Sequence, residues 1–213
     1  MDTIHQQQYA QAAKTLSKKL ERRNFQPIIC QTLAEAKEKA LELIESNKVV
    51  GFGGSITLAQ SGIIPALYDR GQPMIDREKA KDMAEKHCLM KQALTADYFL
   101  TSINGISEDG QLVNIDNVGN RVAAITYGPD RVLAFVGMNK VYGDLETTIE
   151  MVRKRAAPLN SFRIGLEHTP CVKRGFCGDC LNEECICNTI AVTRRSWIPE
   201  RITIFLILQN YGL

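Results

Sequence analysis

Two stretches, Arg131–Gly137 and Ile202–Leu208, are apolar at almost every position, too short for ordinary helices, and rich in β-branched and aromatic residues. Strands of this kind are buried on both faces, as in a parallel sheet covered by helices, and the second run is expected to return the chain to the middle of that sheet. The rest of the sequence keeps a matching rhythm. Pro27–Cys30 predicts a short strand, and Thr32 with Glu35 forms a capping-box pattern that opens a helix with Leu33, Ala36, Ala40 and Leu43 on one face. Lys48–Phe52 and Ala96–Ser102 are expected as strands, Ile56–Tyr68 and Arg77–Ala93 as helices. Asp109-Gly110, between two short apolar alternations, signals a hairpin over 104–116. Val118–Ala124 should open a short helix, and Leu145–Arg155 should form one closed by Ala156-Ala157-Pro158. Thr3–Arg23 has the spacing of an amphipathic helix that packs across the domain or on a second copy. The expected organisation is an N-terminal helix over 1–25 and an α/β domain over 26–213, with a mostly parallel sheet flanked by helices.

Five of the seven cysteines fall between Cys171 and Cys187, with spacing C-x5-C-x2-C-x4-C-x-C. Cysteine gathered this densely in a chain otherwise poor in it predicts a metal site rather than a disulfide framework. The Cys177/Cys180 pair lets two thiolates converge from one turn of backbone, and four thiolates suffice for tetrahedral zinc or for an iron-sulfur cluster. Zinc knuckles usually come as two separated CxxC pairs. A single pair with irregular flanking cysteines favours iron-sulfur, with zinc as the alternative. Residues 168–190 are therefore expected to be a metal-bearing insertion before the last strand. His168, three positions before Cys171, is expected to cap the turn, and Cys30 and Cys88 to be buried small hydrophobes.

Composition excludes several classes. A net charge of +2, from 26 basic and 24 acidic residues, gives no electrostatic case for nucleic acid or an anionic membrane. The amino terminus is polar, without the apolar region of a signal peptide, and no apolar run is long enough to span a bilayer. A cytoplasmic protein without a membrane span is expected.

Two loops carry candidate chemistry. In Val49–Thr57 a buried strand runs into Gly51, Gly53 and Gly54 and then Ser55, so that backbone N–H groups at a helix start could receive a phosphate or carboxylate. The spacing is neither a Rossmann fingerprint nor a Walker loop, and a tight turn with Ser55 as N-cap explains it equally. Asn104, Asn120 and Arg121 lie around the hairpin, and Asn139 and Lys140 directly follow the strand ending at Gly137. In a parallel sheet this loop and the glycine loop share the carboxyl edge, where Arg121 or Lys140 would neutralise an anionic metabolite.

The run ADYFLTSINGISEDG (96–110), its continuation through LVNIDNVGNRVAAITYGPDRVLAFVGMNK and RAAPLN, the GFGGS loop, and TPC-x5-C-x2-C-x6-C ending in Asn188 are similar to the LUD domain of lactate-utilization proteins. The resemblance implies the fold shared by ribose-5-phosphate isomerase, glucosamine-6-phosphate deaminase and CoA transferases. It matches Cys171, Cys177, Cys180 and Cys187 to the cysteines of one branch and leaves Cys185 out; those four are the expected ligands of the metal centre, a 4Fe-4S cluster or, as the alternative, zinc. It also implies a part in oxidising lactate or a related small organic acid beside iron-sulfur partner proteins; a homo-oligomer is a separate expectation. It identifies no catalytic residue. A transferase or isomerase with a structural zinc, and a regulatory subunit without chemistry, are the competing functions.

Overall fold

Val132, Ala134 and Val136 share one side of a core with Ile202, Ile204 and Leu206, while Leu133 and Phe135 lie on the other side with Phe205 and Ile207. That period-two division means both strands carry apolar side chains on both faces, which only a sheet covered on both faces can bury. In a computed structural model, which describes residues 3–213, the strands are β7 (Arg131–Gly137) and β10 (Ile202–Ile207), and they pair in parallel. Together with β1 (Gln26–Cys30), β2 (Val50–Phe52), β3 (Met74–Ile75) and β4 (Tyr98–Thr101) they form an all-parallel sheet in the order β1-β10-β7-β4-β2-β3. The last strand lies inside the sheet, but next to the edge strand β1 rather than at the middle.

One face is covered by α1 (Thr3–Glu21), through Ala13, Leu16 and Leu20, and by α6 (Asn120–Thr126), through Ala124 and Ile125. The other face carries α2 (Leu33–Leu43), α3 (Ile56–Ser61) and α4 (Ile63–Asp69). Thr32 caps α2 by accepting the Glu35 N–H at 3.1 Å, as the capping-box pattern predicts. Phe135 and Phe205 are fully buried with ring centroids 4.9 Å apart. Phe205→Ala should cost about 3–5 kcal/mol and lower the melting temperature by roughly 10 °C, as read by thermal and urea unfolding.

A second sheet, β8-β5-β6-β9, leans on the first. Its centre is the predicted hairpin, β5 (Gly105–Ser107) antiparallel to β6 (Leu112–Asp116), flanked by β8 (Val141–Tyr142) and β9 (Thr189–Thr193). No expectation covered β3, β8 or β9, which are short strands that pairing partners define more than pattern does. The segment 168–190 thus leads into β9, and β9 stands between it and the last strand.

Three helix expectations are corrected. Ile56–Tyr68 is two helices, because Gly62 adopts a left-handed φ of 66° between them. Arg77–Ala93 is interrupted: a 3₁₀ turn over Arg77–Lys79 precedes α5 (Met83–Gln92), whose cap Asp82 accepts the Glu85 N–H at 2.8 Å. α5 buries none of its residues, so Cys88 is exposed. Pro158 does not end its helix. α7 (Leu145–Met151) continues through a π-turn, Val152–Ala156, into α8 (Ala157–Arg163), where Pro158 occupies the first turn and its missing N–H is harmless. Among the described residues, no helix is long and apolar enough to cross a membrane.

Candidate functional site

Because all six strands of the large sheet run parallel, the segments that leave their carboxyl ends gather on one edge. From β2 the chain first moves outward to β3 and then crosses back to β4 on the other side, so the loops after β2 and β4 part and leave a crevice. A cavity of about 230 Å³ opens there, lined by Gly54–Thr57 after β2, Arg77 after β3, Ser102–Asn104 after β4, Lys140 after β7, and Gly212 after β10. Asp116, Asn120 and Arg121 close one side, and Ala156, Ala157, Asn160 and Arg163 close another. Pockets for drug-sized ligands hold about 300–1,000 Å³, so this one suits a small metabolite. Four cationic side chains face one carboxylate among its lining side chains, which gives it the sign for an anion.

The cations differ in what they can offer. Arg121 is saturated by its own framework: its Nη1 donates to the Ser102 carbonyl (3.0 Å) and Asn114 Oδ1 (2.8 Å), its Nη2 to Asn104 Oδ1 (2.7 Å) and the Ile115 carbonyl (2.6 Å). Its Nε lies 3.9 Å from Asp116, whose carboxylate also accepts the Arg121 and Val122 N–H groups and so caps α6. Arg77 and Arg163 use only Nε within the fold, on Glu78 at 3.0 Å and Asn160 at 2.8 Å, leaving their Nη groups for a ligand.

Lys140 is 4% exposed, and its Nζ donates to Ser102 Oγ at 3.0 Å and Thr57 Oγ1 at 3.3 Å. Burial, and then the positive charge of Arg121, push its ammonium down from 10.5 to about 8. Below about pH 8 the folded chain carries the cost of a buried charge; between 8 and 10.5 the unfolded chain holds a proton that the folded one does not, so stability rises with pH through this window. The full difference corresponds to about 3 kcal/mol. Lys140→Met should therefore be more stable than the parent at pH 7, with the advantage shrinking toward pH 10. Urea unfolding at both pH values would show it, and a pH-independent gap would contradict it.

The cysteines meet on a neighbouring cavity. Cys171, Cys177, Cys180, Cys185 and Cys187 all line one space of about 170 Å³, beside Arg153, Ser161 and Thr169. Burial, followed by the charges of Cys185 and Cys177, pushes the Cys187 thiol up to about 12. Arg153 reaches out of the π-turn to Asp179 and Cys177. Among the described residues, no three Cys, His, Asp or Glu side chains are gathered closely enough to hold one metal ion. His168 stays with the turn, its backbone N–H donating to Glu184 at 2.9 Å. Ala157 and Ile186 line both this cavity and the cationic pocket, so the two adjoin. A second tie is Asn188, which donates to Asn117 Oδ1 at 2.7 Å on the pocket rim.

The family model of the LUD domain matches residues 13–207, from within α1 to the end of β10. The chain belongs to the LUD domain family. A crystal structure of a DUF162 family protein from Deinococcus radiodurans is similar over 93% of this chain and 97% of that one, with a TM-score of 0.52 and 13% identity. At that identity the likeness bears on fold alone, and it agrees with the helix-flanked parallel sheet. No curated protein matches the chain significantly.

Within this LUD domain the residues expected at the site divide. Gly54, Ser55, Asn104, Asn120, Arg121 and Lys140 line the pocket. Gly51 lies inside β2, where a Cβ would come within 3.1 Å of the Ala93 Cβ, and Asn139 turns to accept the Tyr211 N–H at 3.0 Å. Ser55 spends its hydroxyl on the Leu58 N–H of the six-residue α3. Gly53 acts one step away, since a Cβ there would press on Arg121 Cδ at 3.1 Å and Phe99 Cζ at 3.4 Å. Gly53→Val should leave a folded LUD domain but displace Arg121 and weaken anion binding about tenfold or more, measurable by calorimetry; unchanged affinity would make the glycine a turn former only. Sequence reasoning missed Arg77, Ser102, Thr57 and Arg163. Arg77 follows a two-residue strand with no pattern of its own, and Arg163 lies beyond the proline read as a helix end.

Proposed function

We propose that this LUD-domain protein serves the utilization of lactate or a related small organic acid, binding the acid in the carboxyl-edge pocket and exchanging electrons through an iron-sulfur cluster in the cysteine cavity. The observation that carries the reading is the shared wall: the cationic pocket and the thiol cavity are separated by Ala157 and Ile186. Family membership supports the link to lactate utilization.

The donor set fits the cluster. Five thiols on one cavity supply the donor type and number that a four-thiolate cluster needs. Cys171, Cys177, Cys180 and Cys187 would hold it, with Cys185 beside them. When bound, such a group accepts and releases single electrons. The Arg153 guanidinium lies beside Cys177, and Ser161 and Thr169 reach the Cys171 sulfur at 3.5 and 3.1 Å. In the pocket, the Arg77 and Arg163 Nη groups receive the carboxylate, and the Ser102 and Thr57 hydroxyls contact a ligand hydroxyl or carbonyl beside Lys140. Arg121 supplies field and scaffold.

Calorimetric titration with lactate and with its neutral amide tests the pocket. The acid should bind and the amide should bind at least about tenfold more weakly. Equal affinity for both, or none for either, would remove the organic-acid reading.

A further inference from the structure

We infer that Lys140 forms an imine with the carbonyl carbon of a small 2-oxo carboxylic acid held in the carboxyl-edge pocket. The inference rests on the reading of that pocket as an organic-acid site and adds a covalent step to it. A lysine that only balances a bound anion is usually exposed, or paired with a carboxylate when the pocket is empty. Lys140 is neither. It is 4% exposed, its hydrogen-bond partners are two hydroxyls, and no carboxylate is paired with it among the described residues. Its charged neighbour is another cation, Arg121, while Arg77 and Arg163 lie on the same cavity and Asp116 is engaged by Arg121 and the start of α6. The Gly212 backbone lies over the amine, since a Cβ there would fall 2.7 Å from Nζ, so water is kept from that side. A desolvated amine next to a second cation is the setting that makes lysine a nucleophile near neutral pH.

The step balances without an external reagent. The neutral amine attacks the carbonyl carbon and a C–N bond forms. Both amine hydrogens pass to the former carbonyl oxygen, with Ser102 and Thr57 Oγ within reach to relay them; the C–O bond breaks, water leaves, and a C=N bond remains. No group is oxidised or reduced. The carboxylate beside the carbonyl is held by Arg77 and Arg163, which directs the carbonyl carbon to Nζ.

The test treats the full chain as isolated with glyoxylate, pyruvate or 2-oxoglutarate, reduces it with borohydride, and maps the product by intact-protein and peptide mass spectrometry. One adduct per chain is expected on Lys140, with a mass gain equal to that of the acid less one oxygen. Labelling should speed up as the pH rises from about 7 to about 9, because the amine loses its proton there while Arg77, Arg121 and Arg163 stay charged. Lys140→Met and Lys140→Arg should both lose the adduct, with urea unfolding showing that each variant is folded. Even labelling across surface lysines, or an unmodified Lys140 in protein that calorimetry shows to bind the acid, overturns the imine and leaves the pocket reading standing. Absence of both adduct and binding for all three acids overturns the two together.

Discussion

Anaerobically purified Cys177→Ser or Cys180→Ser protein is expected to lose nearly all of its iron, its sulfide, and the broad absorbance near about 400 nm that the parent shows and that bleaches on reduction. Each side chain lines the cysteine cavity and belongs to the quartet expected to hold the cluster, so a serine at either position removes one of its four sulfur ligands. Cys185→Ser should keep the metal, because the family-matching quartet omits it. The structure makes this the sharper arm of the experiment: Cys185 lines the same cavity and its sulfur accepts the Cys187 N–H at 3.4 Å. Retention in Cys187→Ser with loss in Cys185→Ser would exchange their roles. Colourless parent protein with one zinc per chain would end the electron-transfer reading and leave a structural staple beside the pocket.

Arg121→Met should cost about 3–5 kcal/mol and reduce organic-acid affinity by at least about tenfold. The loss is large because Arg121 joins three elements at once. Its guanidinium satisfies acceptors from the end of β4, the loop after it, and both the interior and the edge of β6, including Asn114, which is 1% exposed. A methionine matches the stem but leaves those acceptors unpaired in a buried space and removes the counter-charge of Asp116. Arg121→Lys restores a charge without the planar fork, so it should recover part of the affinity and little of the stability. Urea unfolding and calorimetry on both variants separate the two effects. A stability change below about 1 kcal/mol for the methionine variant would show that the network does not hold the hairpin to the sheet.

The fold was legible where local chemistry and tertiary need agree. The runs at β7 and β10 are apolar on both faces, so no alternative to a covered parallel sheet exists for them, and the Thr32 and Ser55 caps follow from backbone groups that a helix start leaves unpaired. The cysteine spacing likewise announced a gathering of thiols, and one cavity takes all five. What the chain could not announce were features created by neighbours distant in sequence. Pro158 reads as a helix stop, yet the π-turn before it shifts the hydrogen-bond register, with the Ala157 N–H donating to the Val152 carbonyl, so the helix continues and delivers Arg163 and Asn160 to the pocket. Arg121 looks like an anion receptor by type, but the crossing of β4 and β6 spends its donors on the framework. Lys140 likewise reads as an anion receptor, and only packing under Gly212, between Ser102 and Thr57, takes it out of water and lowers its affinity for a proton. Residue type and spacing thus determined the parallel sheet and the helix caps. Burial and partner geometry, which depend on contacts between distant segments, decided which cations can act and set the two cavities side by side.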